Sequence, residues 1–228
     1  MDVAYALGAG YVALQEIWRP MLMTRFGDSN CGCTPCWRAS LVLFPQFAIL
    51  PFAVGATALQ YSSLRAWCDD AEYRGKLNVL MRFVVLVFYA FLLADLVYNH
   101  YLSPPIVLRQ LMIHHHLVCF CGHIYATYFC PVRAQPCYLF AICCLEMGSG
   151  FANVYWLLQD TAGAWLGSVV YLVTMTISNT TATILAWKWR VAAGEAGLSQ
   201  WRRWPCFMIV LVLVFMRQKE VHMLVGWP

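Results

Sequence analysis

Charge is what this chain has least of. Only 11% of its 228 residues are Asp, Glu, Lys or Arg, and 61% are hydrophobic, whereas soluble domains carry about 25% charged residues. That scarcity excludes a single water-exposed domain around one core. The net charge of +4 is spread over loops, with no basic stripe and no arginine-rich arm, so nucleic acid is not a predicted partner. There is no H-E-x-x-H pair, which removes the helical metalloprotease site. No basic region precedes the apolar start MDVAYALGAGYVALQEIW, and the first Arg is Arg19. Neither a secretory leader nor a transit peptide is therefore predicted. Internal repeats, low-complexity tracts and a second domain are lacking as well.

What the sequence does have is apolar length. Stretches at 38–61, 77–102, 106–129, 137–158, 164–188 and 204–216 approach or exceed the roughly 20 residues of a membrane span, although the last is short. It can be prolonged to Trp227 through the tail MRQKEVHMLVGWP. Residues 3–18 read as a further short helix, interfacial or re-entrant. Connections such as Ser103-Pro104-Pro105 are brief, so neighbours are expected to run antiparallel in one bundle. The predicted fold class is all-α: a polytopic transmembrane bundle of about six spans with a short N-terminal interfacial or re-entrant helix. It divides into an N-terminal segment with a Cys loop (1–37), the bundle (38–216) and an amphipathic tail (217–228).

Two local features refine this. Pro45 and Pro51 predict a bend in the first span, with the freed carbonyls satisfied by neighbouring helices. Trp37, Trp156, Trp165, Trp187, Trp189, Trp201 and Trp204 fall near span ends, the aromatic belt of two interfaces. One face would carry Arg65, Arg74, Lys76, Arg133, Lys188, Arg190, Arg202 and Arg203. The other would carry Arg19, Arg25, Arg38, Arg217 and Lys219, with Arg109 just inside. The positive-inside bias puts the first set in the cytosol or matrix.

Residues 111–123, LMIHHHLVCFCGH, set imidazoles among aliphatic side chains. Ionisable groups inside a span usually face a bundle interior or a wet cavity. At 1.5 Å per residue, His114–His116 lie roughly 12–15 Å below the face where the third span begins, Glu146 roughly 18 Å and Asp95 about 9 Å. Arg109, His116, His123 and Thr127 form one helical stripe, and Glu146, Ser149, Gly150 and Asn153 another. Asp95 aligns with Tyr98 and Asn99. The candidate constellation is therefore His115 or His116 with Glu146, Asn153 and Asp95, opening toward Arg109. Such a set can act as general acid, base and orienter, or fix helix register as structural glue.

No cofactor and no metal are predicted. Bis-histidine haem needs ligands from opposite sides, whereas His116 and His123 share one helix about 10.5 Å apart. Cys31-Gly32-Cys33-Thr34-Pro35-Cys36 supplies three of the four ligands that zinc wants. A redox pair at Cys33 and Cys36, acylation of Cys36, a local disulfide and a plain loop stay open there. The other cysteines inside apolar stretches read as small hydrophobes.

FLLADLVYNHY, LRQLMIHHHLVCFCG and CLEMGSGFANVYWLL occur in an order that resembles the TLC-domain family, which includes translocating-chain-associated membrane proteins and ceramide synthases. The resemblance spans roughly residues 38–216 and is nearest to the TLC-domain-containing branch. It aligns Asp95, the His115-His116 pair and Glu146 with the family's polar positions, and Asn153 with the end of the last motif. Ceramide synthases carry a His-Asp pair and a second Asp where this chain has only Glu146. Tyr155 replaces the family's usual Arg, and Gly150 a common Pro.

The resemblance implies lipid handling, with acyl transfer as the chemistry: His115 or His116 as base, Glu146 orienting it, and Asp95, Asn99, Arg109 and Asn153 lining a lipid site. Membrane lipids are then the expected partners, and the endoplasmic reticulum the location by family analogy. The alternative is a non-catalytic accessory subunit among other membrane subunits, for which the mitochondrial inner membrane is the competing location. A transporter would need an inverted repeat, and none is seen.

Overall fold

Pro45 and Pro51 each lack the N–H that an α-helix needs at an interior rung, and the chain answers by changing helix type. In the computed structural model, α2 (Cys36–Phe44) passes into a π-helical turn at Pro45–Ile49 and then into α3 (Leu50–Ala58). The Leu50 amide donates to the Pro45 carbonyl, the i to i−5 reach of a π turn. The expected bend is thus a π insertion, and it carries Gln46 to an inward position where it is 3% exposed.

The structure describes residues 3–26, 30–31, 34–70, 109–159 and 161–225. The stretch expected as a second span, with Asp95 and Asn99, lies outside them. Helix α1 (Val3–Phe26) is longer than the expected 3–18. A two-residue antiparallel ladder pairs β1 (Asn30–Cys31) with β2 (Thr34–Pro35). Cys36, which follows, is disulfide-bonded, so here it serves neither as a zinc thiolate nor as an acylation site. Helix α4 (Leu64–Asp69) is capped by Ser63, whose hydroxyl accepts from the Ala66 amide at 3.1 Å.

Four longer helices follow: α5 (Arg109–Ile124), α6 (Gln135–Leu158), α7 (Ala164–Glu195) and α8 (Gln200–Val225). Among the described residues, three stretches are long and apolar enough to cross a membrane: Ser40–Ala58, Val132–Leu158 and Ala164–Glu195. The described chain is all-helical apart from the short ladder.

The pair α6 and α7 forms the centre, with α8 against α7 and α2–α3 against α6. Small residues set those approaches. A Cβ at Gly148 would meet Ser178 Cβ at 2.8 Å and Arg217 Nη2 at 2.9 Å, and one at Gly150 would meet Phe47 Cζ at 2.7 Å. At the far end of α7 the backbone turns on Gly197, at φ +88°. Leu198 N–H bonds to Ala193 O and Gly197 N–H to Gly194 O, both at 2.9 Å. This is the Schellman stop of a helix, and it folds α8 back along α7.

The core lies in separate layers. Trp67, 1% exposed, stacks on Tyr61 and meets Phe140 edge-on, with Leu50, Ala53 and Leu139 around it. Tyr171, Met175 and Val221 form a second layer. Because Val221 is fully buried, α8 packs well beyond Met216, along the extension into the tail that the sequence allows.

Candidate functional site

The π turn aims Gln46 at α6, and α6 presents Glu146 and Asn153, seven residues and two turns apart on one face. Gln46 bridges them. Its Nε2 donates to Glu146 Oε2 at 3.1 Å, and its Oε1 accepts from Asn153 Nδ2 at 3.1 Å. The amide orientation is the one that gives the carboxylate a donor. Glu146 sits midway along α6, and the bridge ties that midpoint to the bend in the first helix.

On the same level Arg217 enters from α8. Its Nε donates to Asn179 Oδ1 at 3.1 Å, Nη1 to Ser149 Oγ at 2.8 Å and Nη2 to the Leu145 carbonyl at 2.8 Å. Met175 Sδ lies 3.1 Å from Nη2. The chain of bonds continues outward: Asn179 Nδ2 donates to Gln218 Oε1 at 3.0 Å, and Gln218 Nε2 to Thr176 Oγ1 at 3.1 Å. Ser178 adds a bond from α7 to the Cys144 carbonyl of α6 at 2.6 Å. Leu145 and Ser149 flank Glu146, so guanidinium and carboxylate belong to one turn of α6. The planar fork of Arg suits this, since five donors in fixed directions can serve several helices at once.

Helix α5 contributes from the other side. His116 is 7% exposed, and Cys119, three residues on, lies within electrostatic reach of both Glu146 and Arg217. His123 shares the stripe with His116 and is 1% exposed, but its Nδ1 bonds the Tyr138 hydroxyl near the start of α6. It belongs to the other end of the bundle and not to this site. Of Arg109 and His115 only the backbone is described, within α5.

So the structure sets Glu146 and Asn153 on one amide and buries His116 one helical turn before Cys119, which lies within electrostatic reach of Glu146. Three participants escaped the sequence reading. Arg217 follows an apolar run and is expected at a membrane face; the structure turns it inward, since α8 continues to Val225. Gln46 carried a signal, being the lone polar side chain in LVLFPQFAILPFAV. Asn179 carried another, as an amide within an apolar stretch.

Among the described residues no cluster of His, Cys, Asp and Glu is arranged to hold a metal. No protein family matches this chain, and no curated protein or solved structure matches it either.

Proposed function

We propose that this protein is a multi-pass membrane bundle that handles lipid, with the seam of His116, Glu146, Gln46, Asn153 and Arg217 as its polar centre. The observation that supports this is a carboxylate and a guanidinium gathered on one turn of α6 inside an apolar bundle, with His116 buried on α5 one turn before Cys119, which lies within electrostatic reach of both. Ionisable groups between apolar helices are expensive and mark functional sites. The order of motifs resembling TLC-domain proteins points the same way. On this reading His116, or His115 beside it, takes the proton from a lipid amine or hydroxyl as that group attacks the carbonyl of a thioester acyl donor, Glu146 orients the imidazole, and the imidazolium returns the proton to the thiolate that leaves.

A second reading is favoured by one specific feature, the stitching of α2–α3, α6, α7 and α8 through Gln46, Arg217 and Asn179. A seam so internally bonded also suits a non-catalytic subunit of a larger membrane assembly.

The experiment that separates them is the native mass of the particle extracted in mild detergent, followed by Glu146→Gln and His116→Ala. A particle of one or two chains carrying discrete lipid masses, with turnover or lipid retention lost in both variants, is the expected result. Variants that keep full lipid turnover sink the lipid reading. A large particle with fixed partners, loosened by the same variants, establishes the subunit reading.

A further inference from the structure

Where α7 turns into α8, two half-buried arginines sit side by side, and among the described residues neither forms an ion pair. The Arg190 guanidinium lies between two indoles, 4.7 Å from the Trp187 ring centre and 4.0 Å from that of Trp204. Arg203 crosses the end of α7, its Nη1 donating to the Arg190 carbonyl at 3.3 Å. Its path needs Gly194, since a Cβ there would collide with the guanidinium. The Nε of each arginine is buried and makes no hydrogen bond among the described residues.

The helix adds to the imbalance. A helix N-terminus carries partial positive charge and favours acidic side chains. The first turn of α8 has none and holds Arg202 and Arg203 instead. Nearby Arg133 takes two carboxylates of this end, Asp69 at 2.5 Å and Glu195 at 3.3 Å. Two forked cations and a helix end thus converge, framed by aromatic faces, with no carboxylate paired to either cation among the described residues. A phosphate, which accepts bidentate bonds from guanidinium groups, has the complementary charge and shape.

We propose that Arg190 and Arg203 hold the phosphate of an anionic phospholipid at the turn between α7 and α8. The aromatic residues argue for a lipid source over free phosphate. Trp187, 48% exposed, stands near the end of α7, a helix long and apolar enough to cross a membrane, and Trp201, 90% exposed, in the first turn of α8. Indole rings in such positions settle at headgroup level. Met208 and Val191, both exposed, continue the apolar flank along which acyl chains would lie. Basic pockets between helices at that level take anionic headgroups. The inference rests on the membrane reading given above.

The test uses the full chain in mild detergent, with phosphatidylglycerol, phosphatidylcholine or inorganic phosphate added and retention read by native mass spectrometry. Phosphatidylglycerol should be retained in preference to phosphatidylcholine, and Arg190→Gln or Arg203→Gln should each weaken it roughly tenfold or more. Arg19→Gln, which removes a cation on α1 paired with Glu16 and outside this cluster, should bind as the parent does. Helical circular dichroism checks that the variants fold. Arg190→Lys, which keeps the charge and loses the fork, should weaken retention less than Arg190→Gln.

Equal retention of the two lipids overturns the inference, as does unchanged retention in both glutamine variants. Binding of inorganic phosphate without lipid selectivity overturns it in favour of a phosphate site. Release of the chain from native membranes by alkaline carbonate overturns the membrane reading and this inference with it. Firm membrane retention with unselective lipid binding overturns this inference alone.

Discussion

Arg133 and Arg217 carry the same guanidinium into opposite surroundings. Arg133 is 37% exposed and meets Asp69 and Glu195, which are 41% and 55% exposed. Arg217 reaches an amide oxygen, a hydroxyl, a main-chain carbonyl and a thioether inside the bundle. The formal ion pairs are the weaker contribution. Solvent already stabilises Arg133 and its partners apart, so exposed pairs of this kind are worth about 0–1 kcal/mol. Around Arg217 the alternative to each bond is an acceptor without water. What a buried polar group contributes is set by what its removal strands.

The sharpest way to break this comparison is to remove both cations. Arg217→Leu leaves Asn179 Oδ1, Ser149 Oγ and the Leu145 carbonyl without that donor. A loss of about 3–5 kcal/mol is expected, the range for breaking a buried charged network. Thermal unfolding in one detergent would show it, and a drop no larger than that of Arg133→Leu would defeat the contrast.

Gln46→Leu comes next. It removes the amide that joins Glu146 to Asn153, with an expected loss of about 1–3 kcal/mol. Leu packs well in a helix, so a loss near zero would mean that the bridge adds nothing to the fold.

Smaller again is Gly148→Ala. The new Cβ would press on Ser178 and Arg217, and overpacking costs about 1–3 kcal/mol, offset by about 1 kcal/mol of helix propensity. Gly122→Ala is the matched control, because nothing lies within 4 Å of its Cβ. There only the propensity gain should appear. Opposite signs at the two glycines would locate the close approach of α6 and α7; equal effects would deny it.

The same contrast explains what could be read in advance. Apolar length predicts helices, and Pro45 with Pro51 predicts an interruption, but the π turn that resolves it depends on how α2–α3 meets α6. Glu146 and Asn153 fall on one face by spacing alone. Gln46, which joins them, lies 100 residues away in the chain from Glu146, beyond any local pattern. Arg217 is the instructive case. A charge after LVLVFM reads as the end of a span, because local hydropathy cannot register Asn179 and Ser149 waiting on two other helices. Asp95 and Asn99, which the motif resemblance brings to the same seam, lie outside the described residues.

The smallest expected effect is at the exposed end, and it can be read chemically where stability would barely move. Cys68 and Cys137 lie 3.9 Å apart between their sulfurs. The Cys68 thiol is held below its ordinary range, first by the hydrogen bond from Cys137 and less by the charge of Arg133, against burial, Asp69 and Glu195, which push it up. The thiolate is the nucleophile. Cys137→Ala should therefore raise the Cys68 pKa and slow its alkylation at neutral pH, shifting the rate profile to higher pH. Arg133→Gln should shift it in the same direction by less, and the difference should shrink as salt is added, since exposed charges are screened over about 8 Å at physiological ionic strength. An Arg133→Gln shift as large as that of Cys137→Ala, or one indifferent to salt, would mean that this charge acts as though buried. It would then stand with Arg217, and the division between the two arginines would fail.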